Sequence, residues 1–229
     1  MPDRIDLIRL KIERAKEHIR NLETEVRAFL TTKPYRVGTK HKPETGQLVY
    51  YLVDVKPVPL RIAVMAGDAL QNLRSALDHL AWQLVLANGR NPMSRTAFPI
   101  YDDLAKYKSE SLRQVQGMSN AAIKAIDAVK PYKGGNDTLW RLHRLNNVDK
   151  HRFVITAGLA FRSINLGAHV FATLAAQNSA FANMETIHAF FKTADRMFPL
   201  KAGDELFIDA PDGKVNEKMQ FRFDVAFGE

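Results

Sequence analysis

Apolar residues repeat at three- and four-residue steps over the first thirty positions, and this repeat constrains the fold more than any other feature. It predicts one long amphipathic helix, with Asp3 as its N-cap and Pro34 beyond its end. At 1.5 Å per residue the helix is about 40 Å long, so it needs a partner of similar length, either another helix or its own copy in a second subunit. The apolar face consists of Ile5, Ile8, Ile12, Ala15, Ile19, Leu22, Val26 and Phe29.

The same periodicity returns after Pro59 and continues to Asn88, where the Asn-Gly pair predicts the end of a second long helix. Between the two helices, β-branched and aromatic residues flank a turn at Pro43–Gly46. This pattern of residues predicts a β-hairpin over residues 35–56. The chain from 90 to 101 contains two prolines and predicts a loop.

Helical patterns follow near 102–115 and 119–130, and a capped one spans residues 138–152. The apolar period then falls to two, which predicts antiparallel strands near 153–157, 168–172, 205–209 and 221–227. Residues 178–199 give no clear pattern. The sequence therefore predicts one α+β domain over 1–229: an N-terminal helical bundle with an inserted hairpin up to about residue 152, and a C-terminal antiparallel sheet from about 153. Whether the hairpin joins that sheet stays open.

Composition and missing motifs exclude several classes of function. The 229 residues include no cysteine, so disulfides, zinc fingers and thiol nucleophiles are excluded. The phosphate loop, the dinucleotide fingerprint, the zincin motif and the serine-hydrolase elbow are all missing. A di-iron bundle fails because residues 45–109 contain no glutamate. No apolar run reaches the roughly 20 residues that cross a bilayer, so we expect no membrane segment and a cytoplasmic location. Because the nucleotide-binding and zinc motifs are missing, we also expect no cofactor and no metal.

Positive charge concentrates in one short segment. The chain carries a net charge of +8, and residues 130–152 hold six Lys and Arg against two Asp. Such a density suits a surface that faces phosphates, although a solvated helix face that keeps the protein in solution has the same composition.

Two segments combine arginine with histidine. The first is Leu73–Leu80, LRSALDHL, in the second long helix; the second is His143–Arg152, HRLNNVDKHR, at the end of a later one. In the second segment Arg144 and His151 are seven residues apart, so an ideal helix places them on one face about 10 Å apart along its axis. His143, Asn147 and His151 follow a neighbouring face at four-residue steps. In the first segment the five-residue step from Arg74 to His79 turns the two side chains about 140° apart.

An arginine near a histidine suits phosphodiester chemistry. The imidazole can move a proton to or from a ribose hydroxyl while the guanidinium neutralises the charge that grows on the phosphate. Each segment also has a purely structural interpretation. The cations near His151 complement the helix dipole, His79 suits a hydrogen-bonded core position, and Arg74 with Asp78 reads as an ordinary one-turn ion pair worth a few tenths of a kcal/mol.

The LRSALDHL and LNNVDKHR segments resemble motifs of a family of bacterial proteins that carries no settled activity. The resemblance spans about residues 58–156. More loosely, an arginine followed by four to six residues and a histidine on bundle helices is similar to the HEPN superfamily. This resemblance implies a dimeric, metal-independent endoribonuclease of the toxin or phage-defence type. The candidate catalytic residues are then Arg144, His151, Asn147 and His79, with Arg144 on the scissile phosphate and His151 as the proton carrier.

Two other functions stay open at this point. One is a non-catalytic interaction or regulatory protein whose long helices form a homodimer. The other is a metal site built from His79, His143 and His151, which lacks a carboxylate at ligand spacing. RNA is the partner that the first hypothesis requires; the second requires a protein or a small ligand.

Overall fold

A computed structural model describes residues 4–151, 155–165, 188–192, 200–211, 215 and 220–228. The chain contacts group into two compact units, each made of separate stretches of sequence. The first unit contains residues up to Glu25 and Leu60–Ile155, and the second contains Val26–Pro59 and Thr156–Phe227. Both Arg/His segments lie within Leu60–Ile155, so all four candidate catalytic residues belong to the first unit.

Helices dominate the first unit. Most of the long helix α1 belongs to it, and its last residues, from Val26, belong to the second unit. The helices are α1 (Arg4–Thr31), α2 (Leu60–Ala87), α3 (Leu104–Gln114), α4 (Asn120–Val129) and α5 (Asp137–His151).

Local signals explain where the shorter helices begin and end. Asp103 caps α3 through a bond from the Lys106 amide, and Ser119 caps α4 through a bond from Ala122. The side chain of Asn136 accepts the Leu139 amide at 3.1 Å and so starts α5. Helix α4 ends at Val129, and its C-cap Lys130 has a left-handed backbone (φ 53°) directly before Pro131.

One apolar cluster holds these helices together. It joins α2 to the loop that follows it, to the turn after α3, and to α4 and α5, which places the Phe98–Ile100 segment against the α2 surface. Its members are Ala81, Val85, Phe98, Ile100, Val115, Met118 and Ile126, with Leu77, Leu84, Ala122, Ile123 and Leu139 packed around them.

The second unit contains two three-stranded sheets, with strand orders β1-β2-β5 and β4-β3-β6. The hairpin pairs antiparallel with β5, so the hairpin does join a C-terminal strand. Aromatic rings connect β2 with β6, because Tyr50 lies 5.8 Å from Phe221. The strands are β1 (Tyr35–His41), β2 (Gln47–Val55), β3 (Ile155–Asn165), β4 (His188–Lys192), β5 (Glu205–Pro211) and β6 (Gln220–Gly228).

The predicted α+β fold, with a hairpin between two long helices and strands near the C-terminus, is confirmed. The strand predicted near 168–172 lies outside the described residues. Strand β4 lies within residues 178–199, where no element is predicted from the sequence. None of the described helices is long and apolar enough to cross a membrane.

Candidate functional site

Arg74 fixes the loop after α2 onto the helix. Its Nη2 donates to the carbonyl oxygen of Phe98 at 2.9 Å and pairs with Asp78 Oδ1 at 2.9 Å. The amide of Phe98 donates to the same carboxylate oxygen at 3.0 Å. Both polar groups of the buried Phe98 backbone are thus satisfied by one ion pair. The predicted one-turn pair of Arg74 with Asp78 is present, but it is not a surface pair, because only 8% of the Arg74 side chain is exposed.

Helices α2 and α5 pack closely at Gly67. A Cβ atom at this position would lie 2.6 Å from Oδ2 and 2.7 Å from Cγ of Asp149, so the missing side chain makes room for the carboxylate. Burial, and then the nearby charge of Asp68, raise the pKa of Asp149. Farther along α2, the charge of Arg74 acts on His143. Because Arg74 follows Gly67 on α2 while His143 precedes Asp149 on α5, the two helices run antiparallel.

This register determines which candidate residues can act together. Gly67 lies opposite Asp149. His79 follows Gly67 by twelve residues on α2, so it is level with Asp137, which precedes Asp149 by twelve residues at the start of α5. His151 ends α5, fourteen residues from Asp137, and is therefore about 20 Å from the level of His79. His79 and His151 are too far apart to act on one phosphate within a single chain.

His143 is held in its neutral form. Burial is the largest cause, followed by the positive charges of Arg74 and Lys150, and together they lower the pKa of His143 to about 4. Its Nε2 lies 3.0 Å from Asn147 Nδ2, which can only donate, so Nε2 accepts and Nδ1 carries the proton. His143 Nδ1 is buried and has no hydrogen-bond partner among the described residues, and the same is true of both side-chain polar atoms of Asn146.

One side of α5 faces solvent. Arg144 and Asn147 are exposed, and Trp140 is half-buried. At 100° per residue, positions 140, 144, 147 and 151 fall within about 60° of one another around the helix axis. We call this set the α5 face. His151 contributes to it by position alone, because its side chain lies outside the described residues.

Two neighbouring segments add charge to the α5 face. Asp102 accepts from Trp140 Nε1 at 3.3 Å and from Lys106 Nζ at 3.2 Å. These two bonds, and then the positive charges of Lys106 and Arg144, lower the pKa of Asp102. On the other side, Lys133 Nζ lies 4.8 Å from the centre of the Trp140 ring.

His79 lies in a separate groove of about 370 Å³ along α2. Among the four candidate residues, only His79 lines this groove in the described part of the chain. The other described lining residues are Ser75, Asp78, Trp82, Gln83 and Thr96. Trp82 and Thr96 could not be singled out from the sequence, because the groove depends on the loop that folds back over α2 and this loop has no apolar periodicity.

The metal alternative finds no support in the described residues, which contain no group of three or more His, Asp or Glu side chains that could hold a metal ion. Comparisons with protein-family models, with curated proteins and with solved structures found no match to this chain.

Proposed function

We propose that this protein is a metal-independent endoribonuclease of a HEPN-like, toxin or phage-defence type, with its catalytic residues on the α5 face. One observation carries the proposal: Arg144 and Asn147 are exposed on the side of α5 that also includes position 151. A guanidinium, an amide and an imidazole position thus share one surface that a sugar–phosphate chain can reach.

The chemistry needs no metal. Arg144 binds the scissile phosphate and neutralises the charge that grows on it. His151 accepts the proton of the ribose 2′-hydroxyl while that oxygen attacks phosphorus. The bond between phosphorus and the 5′-oxygen breaks, and the 5′-oxygen leaves with a proton from the imidazolium or from water. The products are a 2′,3′-cyclic phosphate and a 5′-hydroxyl end.

Asn147 has a positioning role in this proposal. One N–H of its amide is directed to His143 Nε2 at 3.0 Å. Because His143 is neutral and half-buried, it holds the amide without adding charge. The second N–H of the amide is then available to a phosphate oxygen. The exposed Lys133 and Lys150 extend the positive surface along the backbone of the substrate.

The proposal includes a homodimer formed through the long helices and a cytoplasmic location, where RNA is the substrate. Apolar residues on the solvent side of α1 support the dimer, because Leu7 is 47% exposed and Leu10 is 65% exposed.

A cleavage assay on mixed RNA in EDTA tests the proposal. We expect the purified full chain to cut RNA, and Arg144→Ala and His151→Ala each to lower the rate by about 100-fold or more. Arg141→Ala is the matched control, because Arg141 is exposed on the same helix but lies about 60° outside the α5 face around the helix axis. Circular dichroism and unfolding midpoints check that each variant is folded.

Two results would overturn the nuclease. Wild-type protein that cuts no RNA at any salt concentration is one. Arg144→Ala or His151→Ala protein that cuts as fast as Arg141→Ala is the other, since the cleavage would then come from elsewhere. Either result leaves the non-catalytic interaction or regulatory protein as the alternative.

A further inference from the structure

The groove along α2 has the lining of a nucleobase site. Trp82 is 41% exposed and offers a flat ring on which an unpaired base can stack. The volume of about 370 Å³ is within the range of small-ligand sites and is large enough for a base. The polar groups around the ring, above all those of Asp78 and Gln83, can bond to the edge of that base.

Asp78 presents an acceptor that the fold holds in place. Its Oδ1 is bonded to both Arg74 and the Phe98 amide. The side chain is nevertheless 40% exposed and lines the groove, so its other oxygen can accept from a ligand. Because Arg74 balances the charge of Asp78, a neutral ligand with an N–H donor fits better than a cation.

The part of the lining that the loop contributes is also fixed. Thr96 is buried, and its Oγ1 accepts the Met93 amide at 2.9 Å. The Arg74–Asp78 pair then holds the chain two residues later, at Phe98. Because these residues are already held in place in the free protein, they lose little conformational freedom when a ligand binds.

From this geometry we infer that the groove binds one unpaired RNA base that carries an exocyclic amino group. Asp78 accepts from the amino group, Gln83 donates to the neighbouring ring nitrogen, and Trp82 stacks on the face. Uracil is disfavoured because it presents a carbonyl oxygen where cytosine presents an amino group, and two acceptors then oppose each other. This inference rests on the proposed function for its ligand class, because RNA is the substrate there.

The groove and the α5 face are connected by one loop. Thr96 lines the groove, and Asp102, six residues later, is bonded to Trp140 on the α5 face. By the α2–α5 register, Arg144 is level with Asn72, which is about 10 Å along the axis from His79. A single strand that follows the loop can therefore place one base in the groove and a phosphate of a nearby nucleotide at Arg144.

Binding of uncleavable RNA tests the inference separately from catalysis. Fluorescein-labelled 2′-O-methyl hexamers of cytidine and of uridine are titrated with the full chain and followed by anisotropy. The blocked 2′-hydroxyl prevents cleavage, so the result does not depend on His151. We expect the cytidine hexamer to bind at least about fivefold more tightly, and Trp82→Ala to weaken its binding at least about fivefold. Leu80→Ala is the control, because Leu80 is 36% exposed on the same helix and does not line the groove.

Equal affinity for the two hexamers would overturn the role of Asp78 and with it the inference. Equal affinity of the Trp82→Ala and Leu80→Ala variants for the cytidine hexamer would overturn the stacking site. If the hexamers bind as expected but no RNA is cut, the proposed nuclease fails and the base site stands. If RNA is cut but neither expected difference appears, the base site fails and the nuclease stands.

Discussion

At the scale of single residues, Arg74 shows how one buried guanidinium can hold a loop. It donates a hydrogen bond to the Phe98 carbonyl oxygen and forms an ion pair with the Asp78 carboxylate at the same time. We predict that Arg74→Ala lowers the free energy of unfolding by about 3 kcal/mol, because Phe98 loses its donor and Asp78 loses its counter-charge. Urea unfolding measures the loss. Arg74→Lys, which keeps the charge, is expected to recover part of it.

The control for this prediction is Arg141→Ala, since Arg141 is exposed. Its effect on the free energy of unfolding is expected to stay within about 0.5 kcal/mol. Equal unfolding midpoints for Arg74→Ala and wild type would show that the ion pair does not hold the loop.

His143 predicts a pH dependence of stability. Its pKa of about 4 in the folded state lies below the ordinary 6.5, so the unfolded chain takes up a proton first as the pH falls. The stability that His143 contributes is therefore complete above about pH 6.5 and decreases between there and pH 4. We expect wild type to lose more stability between pH 7.5 and pH 5 than His143→Gln does. Urea midpoints at both pH values measure the difference, and parallel losses in the two proteins would contradict the assignment.

At the scale of secondary-structure elements, the α2–α5 pair depends on a glycine in the middle of a helix. Glycine costs a helix about 1 kcal/mol relative to alanine, and the Asp149 carboxylate occupies the space that a side chain would take. We predict that Gly67→Ala destabilises wild type by about 1–3 kcal/mol and stabilises an Asp149→Ala background by about 1 kcal/mol. A double-mutant cycle in urea measures both effects. The same effect of Gly67→Ala in both backgrounds would show that the carboxylate does not set the approach of the helices.

The sequence predicted these elements well where one apolar period persisted. Helices α1, α2 and α5 begin and end within three residues of their predicted limits, because prolines and capping residues mark the ends. Strand β4 could not be predicted, since His188–Lys192 is short and residues 178–199 show no clear apolar period.

The candidate site was less predictable than the elements. The sharing of one face by Arg144 and Asn147 follows from helical spacing alone. The burial of Arg74 and the lowered pKa of His143 do not, because each depends on a contact between residues far apart in the sequence. A one-turn Arg–Asp pair looks the same in the sequence whether water or a loop covers it.

At the scale of the whole molecule, the proposed dimer can be tested by mass. We expect light scattering after size exclusion to give twice the protomer mass of 25.9 kDa. The double substitution Leu7→Glu/Leu10→Glu should return it to one protomer, because charges would replace the two exposed leucines of α1. Leu112→Glu is the control, since Leu112 is equally exposed on α3. A wild-type mass of one protomer at every concentration would remove the dimer from the proposal.

The pairing of β2 with β5 has a consequence during synthesis. About 150 residues separate Val55 from Glu205, so the ribosome needs roughly 7–30 s to deliver β5 after the hairpin has emerged. Throughout that interval one edge of β2 has backbone groups without their final partner, and such an edge can recruit a strand from another nascent chain. Slow translation of residues 56–204 would lengthen the time for which this edge of β2 is unpaired. A chaperone bound to the hairpin would cover the edge and so reduce the loss of folded protein.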